Sequence, residues 1–274
     1  WMVHDMIELE NMGKPAVPII SGRFEGDALA SSRAFGMPGL QFVIVPRIYR
    51  NLSKEESIAQ TEPAFEDIVS LLTTNTNGGP QTSAKDTSEV HRFEGDDRLD
   101  TMLRMNEEFL NRDWGDGFPM LPATRSAVDE LLKGTNLPPD HVVCDLPPGF
   151  GIATVEKIAI NSAMAGAKPE HMPVIIASVK ALSQIGPYDG KSLLMSTPPH
   201  APILIVNGPI AKELGINFRR ATLGPGRQSK VNIVLGRALL LMLKNVGHWY
   251  PGHLDMDTIG TVRKFPALVA ENEE

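Results

Sequence analysis

Between Val231 and Val246 the chain reads VNIVLGRALLLMLKNV. Val231, Ile233, Val234, Leu235, Ala238, Leu239, Leu240, Leu241, Met242 and Leu243 cover nearly the whole circumference of a helix. A helix that is apolar on all sides is buried. Arg237 and Lys244 interrupt the run, which falls short of the roughly 20 apolar residues needed to span a bilayer. The stretch is therefore the expected central helix of a soluble core, and the other segments must supply the layers that cover it.

The approach to this helix is Leu223-Gly224-Pro225-Gly226-Arg227-Gln228-Ser229. Gly224 and Gly226 permit a tight turn, and Ser229 is placed to cap the first helical turn. A helix N-terminus favours an anion, here beside Arg227 and close to Arg219 and Arg220. Gly224, Gly226 and Arg227 are thus candidates for binding a carboxylate or phosphate. The alternative is a tight loop ahead of an ordinary capped helix.

The flanking segments alternate helix with short apolar strand. His4–Gly13, Ala28–Phe35 and Ser57–Leu72 carry helical periodicity, with Gly13 as a C-cap. Runs at 15–20 and 40–46 suit buried strands. Such alternation predicts a βαβ-type unit with parallel strands. From Thr73 to Asp97 the chain is polar and rich in Gly, Ser and Thr, unable to bury enough surface to offset its ordering entropy. The expected organisation is an N-terminal α/β unit over 1–75, a linker over 76–97 and a larger C-terminal α/β domain over 98–274. The fold class is α/β, with a parallel or mixed sheet and flanking helices.

In the C-terminal part, Leu99–Asn111, 124–132, Thr154–Ala165 and a segment from Pro173 read as helices. Val142-Val143-Cys144, His200–Pro209 and Phe265–Ala270 read as strands. Thr124 and Thr154 are expected N-caps. Asp113–Pro119 (DWGDGFP) is either a cleft-lining loop or a tight connection. Lys157 and Asn161, four apart, share a helical face and can orient a carbonyl or carboxylate, or else form a solvated face. Asn207 ends the clearest strand, where ligands bind in open α/β sheets. Asn207, Lys157 and Asn161 therefore join the candidate substrate-binding residues. His248 and His253, with acids such as Glu271, form a weak metal-binding signal. Glu271 can end on the sheet edge.

Composition excludes several classes of function. The net charge is −7, where a nucleic-acid binder needs a basic face. No signal peptide or membrane-spanning segment is evident, and a single cysteine, Cys144, fits a reducing, cytoplasmic setting. Cys144 has no CxxC partner and sits in an apolar strand, so it reads as buried and inert. The chain opens on Trp1 rather than Met, so an upstream piece is expected.

Several stretches together resemble the bacterial UGSC family, named for a selenocysteine (or Cys)-Gly-Ser-Cys motif. They are Trp1–Asp5 with Glu8-Leu9-Glu10, Thr154–Asn161 (TVEKIAIN), Ala201–Pro209 (APILIVNGP), Leu223–Gly226, and Ala270–Glu274. The chalcogen motif falls just ahead of the segment resembling Trp1–Asp5, outside these residues. The resemblance implies a thiol- or selenol-dependent enzyme, an oxidoreductase or lyase, acting on a small anionic or carbonyl-bearing substrate. His4 is then a candidate catalytic residue, stabilising a thiolate or selenolate at the helix N-terminus or shuttling a proton. No particular cofactor is indicated. A homo-oligomer, with an upstream peptide or partner chain, is expected. Two alternatives stand beside this reading: a metal-dependent enzyme using the C-terminal histidines, and a non-catalytic subunit of a larger assembly.

Overall fold

The computed structural model describes residues 2–46, 49, 52–74, 90–185, 194–195, 197–198, 200–252, 254–260 and 268–273. The chain divides into two compact units, within residues 1–89 and 90–274. Of the expected linker at 76–97, the part up to residue 89 lies outside the described residues, as do Trp1 and His253.

The first unit runs α1 (Met2–Asn11), β1 (Ile19–Ser21), α2 (Glu25–Ala34), β2 (Val43–Val45), α3 (Lys54–Thr61) and α4 (Phe65–Thr73). Strands β1 and β2 pair in parallel, Ile19 opposite Val43 and Ser21 opposite Val45, with a helix in the connection as parallel pairing requires. Val3 and Ile7, one helical turn apart, bury with Ile20, Ala28, Met37 and Leu40. Gly13, at φ +72°, takes the left-handed conformation expected after a helix end. The single helix expected over Ser57–Leu72 is corrected. Pro63 interrupts it, and a short 3₁₀ turn at Glu62–Ala64 separates α3 from α4. Ser53 and Glu56 form a reciprocal capping box at the start of α3.

The second unit contains α5 (Arg98–Asn111), α6 (Arg125–Leu132), β3 (Val142–Leu146), β4 (Gly151–Thr154), α7 (Val155–Ala165), α8 (Met172–Ser183), β5 (Leu204–Val206), α9 (Pro209–Glu213), α10 (Lys230–Asn245) and β6 (Leu268–Ala270). Strands β3 and β4 form an antiparallel hairpin, while β5 and β6 pair in parallel, so the fold is mixed α/β. Helix α10 is the expected central helix. Its residues from Ala238 to Leu243 are all buried, and it packs chiefly against α7, then against α8 and β6. The core around it gathers Leu235, Leu239 and Met242 with Ile158, Ile175 and Trp249. Thr124 and Thr154 cap α6 and α7 as expected, each accepting from the backbone N–H three residues on.

Both ends of α10 are tied by polar groups. At the N-terminal end Asn232 is fully buried; it accepts from Asn217 N at 2.8 Å and donates to Asn217 O at 2.9 Å and Leu268 O at 3.1 Å. Midway, Arg237 forms a two-point ion pair with Asp116, at 2.6 and 2.9 Å, and also donates to the carbonyls of Phe118 and Pro119. The Asp116 side chain is only 1% exposed. The DWGDGFP loop is thereby clamped to the central helix.

Candidate functional site

The densest chemistry in the second unit lies at the C-terminal end of α10, where two glycine-bearing turns meet backbone to backbone. One is the hairpin turn Pro147-Pro148-Gly149-Phe150 leading into Gly151; the other is Val246-Gly247-His248. Gly149 N donates to Gly247 O at 2.8 Å. A Cβ on Gly149 would come within 2.9 Å of Gly247 O and of His248 Cβ, and one on Gly151 would overlap the Val246 carbonyl oxygen. A Cβ on Gly247 would meet Leu243 O and Pro147 O at 2.6 Å. Glycine is needed on both sides because the two main chains touch. The turn holds His248 and Phe150 in left-handed conformations, both at φ +55°, which non-glycine residues adopt only under constraint. Trp249 anchors the chain just beyond the turn, with its indole N–H donating to Leu194 O at 2.8 Å from a buried position.

Five polar side chains collect around this junction: His248, Lys157, Asn161, Asn245 and Tyr250. His248 Nε2 would lie 3.1 Å from a Cβ built on Gly151, so the ring faces that glycine. Lys157, in the first turn of α7, donates its Nζ to Ile152 O at 3.0 Å, one residue further on. Burial lowers the His248 pKa, and the Lys157 charge lowers it further, so the imidazole is neutral at pH 7. Asn161 is buried one turn after Lys157; it donates to Lys157 O at 2.9 Å and accepts from Asn245 Nδ2 at 2.7 Å. Asn245 Oδ1 is buried without a hydrogen-bond partner among the described residues. The Tyr250 ring lies 6.4 Å from His248, and Lys244 Nζ sits 5.6 Å from the Tyr250 centroid. Burial, with the Asp113 charge, pushes the Tyr250 phenol up to about 12, so it stays protonated. The cluster thus offers an ammonium, a neutral imidazole, a carboxamide pair and a phenol donor: groups suited to hold a carboxylate or polarise a carbonyl.

The Gly-Pro-Gly loop is built differently. Gly224 and Gly226 take φ of +85° and +138°, and a 3₁₀ turn at Arg227–Ser229 precedes α10. The expected Ser229 cap is corrected. Its buried hydroxyl turns away from the helix to donate to Ala221 O, and accepts from Asn217 Nδ2 at 3.1 Å. This hydroxyl stitches the loop to itself, while the buried Asn232 of α10 ties Asn217 to the helix. Arg219, Arg220 and Arg227 are exposed.

The predicted residues do not converge on one place. Arg227 stands before the first turn of α10 and Asn161 bonds to its last residue; 16 residues of helix separate those ends by about 24 Å. Lys157 and Asn161 therefore cannot complete an anion site at Gly226 and Arg227, which corrects that grouping. Asn207 lies at the carboxyl end of β5, donating to Glu271 Oε2 at 3.2 Å, while Gly208 N donates to Glu273 Oε2 at 3.0 Å. Glu271 N continues the ladder to Val206 O at 2.9 Å, so Glu271 does end on the sheet edge. His4 belongs to the first unit. It lies in the first turn of α1, edge-on to Phe35 at 4.9 Å, with Nε2 3.1 Å from Glu8. Cys144 is half-buried with Sγ 3.7 Å from Val179 O, and burial raises its pKa and keeps it a thiol. Among the described residues no three His, Cys, Asp or Glu side chains gather as a metal site.

Sequence reasoning missed Asn245, Tyr250 and the pairing of PPGFG with VGH. The signal was present in the spacing of glycines that end a strand and a helix, but only the fold shows that they face each other.

Residues 1–74 match the family model of the UGSC family. No curated protein and no solved structure matches the chain. The cluster around His248 lies outside the matched residues.

Proposed function

We propose that this protein is an enzyme acting on a small anionic or carbonyl-bearing substrate, with its binding centre at Lys157, Asn161, His248 and Tyr250. The observation that carries this reading is geometric: the His248 ring faces Gly151 from a left-handed backbone, while the Lys157 ammonium donates to the carbonyl of the next residue, Ile152. A neutral imidazole accepts a proton as a general base, becoming imidazolium, or donates a hydrogen bond from its ring N–H, and the ammonium supplies the attraction for an oxyanion. The match of residues 1–74 to the UGSC family model supports thiol- or selenol-dependent reduction or elimination, with the chalcogen supplied from outside these residues and His4 beside it.

The test is an NMR titration of the histidine side chains with acetate, pyruvate and inorganic phosphate. The expected result is a shift of the His248 resonance on adding a carboxylate or keto acid, with about tenfold weaker binding in Lys157→Met. Equal affinity in that variant would remove the cluster from the reading. A second reading places the anion at Gly224–Arg227. It is favoured by the three exposed guanidinium groups there, and Arg227→Ala would then carry the loss instead.

A further inference from the structure

The turn joining α7 to α8 is closed by two hydrogen bonds between the same two residues. His171 N donates to Lys168 O at 2.9 Å, and Lys168 N donates to the ring nitrogen His171 Nδ1 at 3.1 Å. Pro169–His171 forms one 3₁₀ turn, and His171 is 5% exposed. An imidazole accepts a hydrogen bond only at an unprotonated nitrogen, whereas imidazolium carries N–H donors at both positions. The Lys168 N–H therefore requires the neutral ring, and a proton on Nδ1 sets donor against donor in a buried place. The same turn is a seat for α6. A Cβ on Gly134, just past the end of α6, would overlap Pro169 O, so the two main chains touch.

We propose that His171 is an acid-sensitive latch: a proton on Nδ1 turns the acceptor of the Lys168 N–H into a donor, the turn opens, and the end of α6 loses its seat. The elements packed chiefly against the turn are α6 and α8. On α6, Arg125 pairs with Asp129 and with Glu156 of α7, and Lys133 pairs with Glu130. On α8 the one charged residue is Lys180, far along the helix. On the turn itself, burial opposes the protonated ring most, the Glu170 carboxylate favours it and the Lys168 ammonium opposes it. The latch is therefore closed at neutral pH. It does not rest on the catalytic reading of Lys157 and His248.

The experiment is histidine-ring NMR and amide hydrogen exchange on the full chain as the pH is lowered through 6.5, the ordinary histidine value. At neutral pH the Nδ1 resonance is expected to be that of an unprotonated acceptor. Below 6.5 the Lys168 amide, corrected for intrinsic exchange, is expected to lose protection by up to about tenfold per pH unit, levelling off once the folded ring has titrated. Throughout, it exchanges faster than the buried α10 amides of Ala238–Leu243, because the turn opens without the core. His171→Asn sets a carbonyl oxygen near the place of Nδ1 and does not titrate, so it is expected to keep Lys168 protected over the whole range. If that variant folds poorly, the wild-type ring and amide measurements decide. Four results would overturn the proposal: a protonated Nδ1 at neutral pH; Lys168 protection that stays constant while the His171 ring titrates; the same pH dependence in His171→Asn, which keeps His248; or Lys168 protection equal to that of the α10 amides, which makes the opening global.

Discussion

Asn245 donates its side-chain amide to Asn161 Oδ1 at 2.7 Å, joining the last residue of α10 to the middle of α7. Asn161 is buried, so removing it leaves the Asn245 amide desolvated without a partner. Asn161→Ala should cost about 1–3 kcal/mol of unfolding free energy, read from urea unfolding at constant m. A cost close to zero would mean that water takes the place of the lost carboxamide.

The meeting of the two glycine turns makes a sharper demand. Gly151→Ala introduces a methyl group where the Val246 carbonyl already sits, and Gly149→Ala crowds Gly247 O and His248. Each should destabilise by about 1–3 kcal/mol and shift the His248 side-chain resonances, because the turns must part to admit the methyl. Gly13→Ala is the useful contrast. A Cβ there meets nothing within 4 Å, so only the strain of φ +72° applies and His248 is unaffected.

Much of the fold was legible from residue patterns. The apolar circumference of Val231–Val246 set the central helix, and Thr124 and Thr154 marked true helix starts, since capping is a local interaction written in local sequence. The β4 strand was not legible: Pro147-Pro148-Gly149 reads as a boundary, and nothing local says that the chain returns antiparallel through it. Ser229 misled because a serine before a helix caps only if no stronger acceptor competes, and the Ala221 carbonyl does. The candidate site was legible only in fragments. Lys157 and Asn161 are a helical spacing apart, but their partners Asn245 and His248 arrive from more than 80 residues away, which no periodicity records.

The ion pair between Arg237 and Asp116 gives a test of a buried charge. Arg237→Ala strands a carboxylate whose side chain is 1% exposed, and should cost about 3–5 kcal/mol. The double variant Arg237→Met with Asp116→Leu removes both charges and should recover most of that loss in thermal unfolding. Failure to recover would show that the contacts to the Phe118 and Pro119 carbonyls, rather than the ion pair, hold the loop.

Two histidines set an acid limit on stability. Burial lowers the pKa of both His248 and His171 below the ordinary value of 6.5. Their contribution is fully present above that value and is lost as the pH falls through it towards the lower folded values, because the unfolded chain then binds more protons. Unfolding free energy should therefore decline as the pH falls below 6.5, and His248→Gln should flatten the decline. Lys157→Met should raise the His248 pKa, since the neighbouring ammonium contributes to lowering it.

The amides at the two ends of α10 have a consequence for uniqueness. A leucine-rich cylinder packs almost equally well after a small twist or a slide of one residue, so its middle gives little reason to prefer one setting. Asn232 must meet Asn217 at one end while Asn245 meets Asn161 at the other, and any slip breaks both pairs together. The polar ends therefore index the greasy middle like two pins in a shaft, and the position of His248, three residues past the second pin, inherits that alignment.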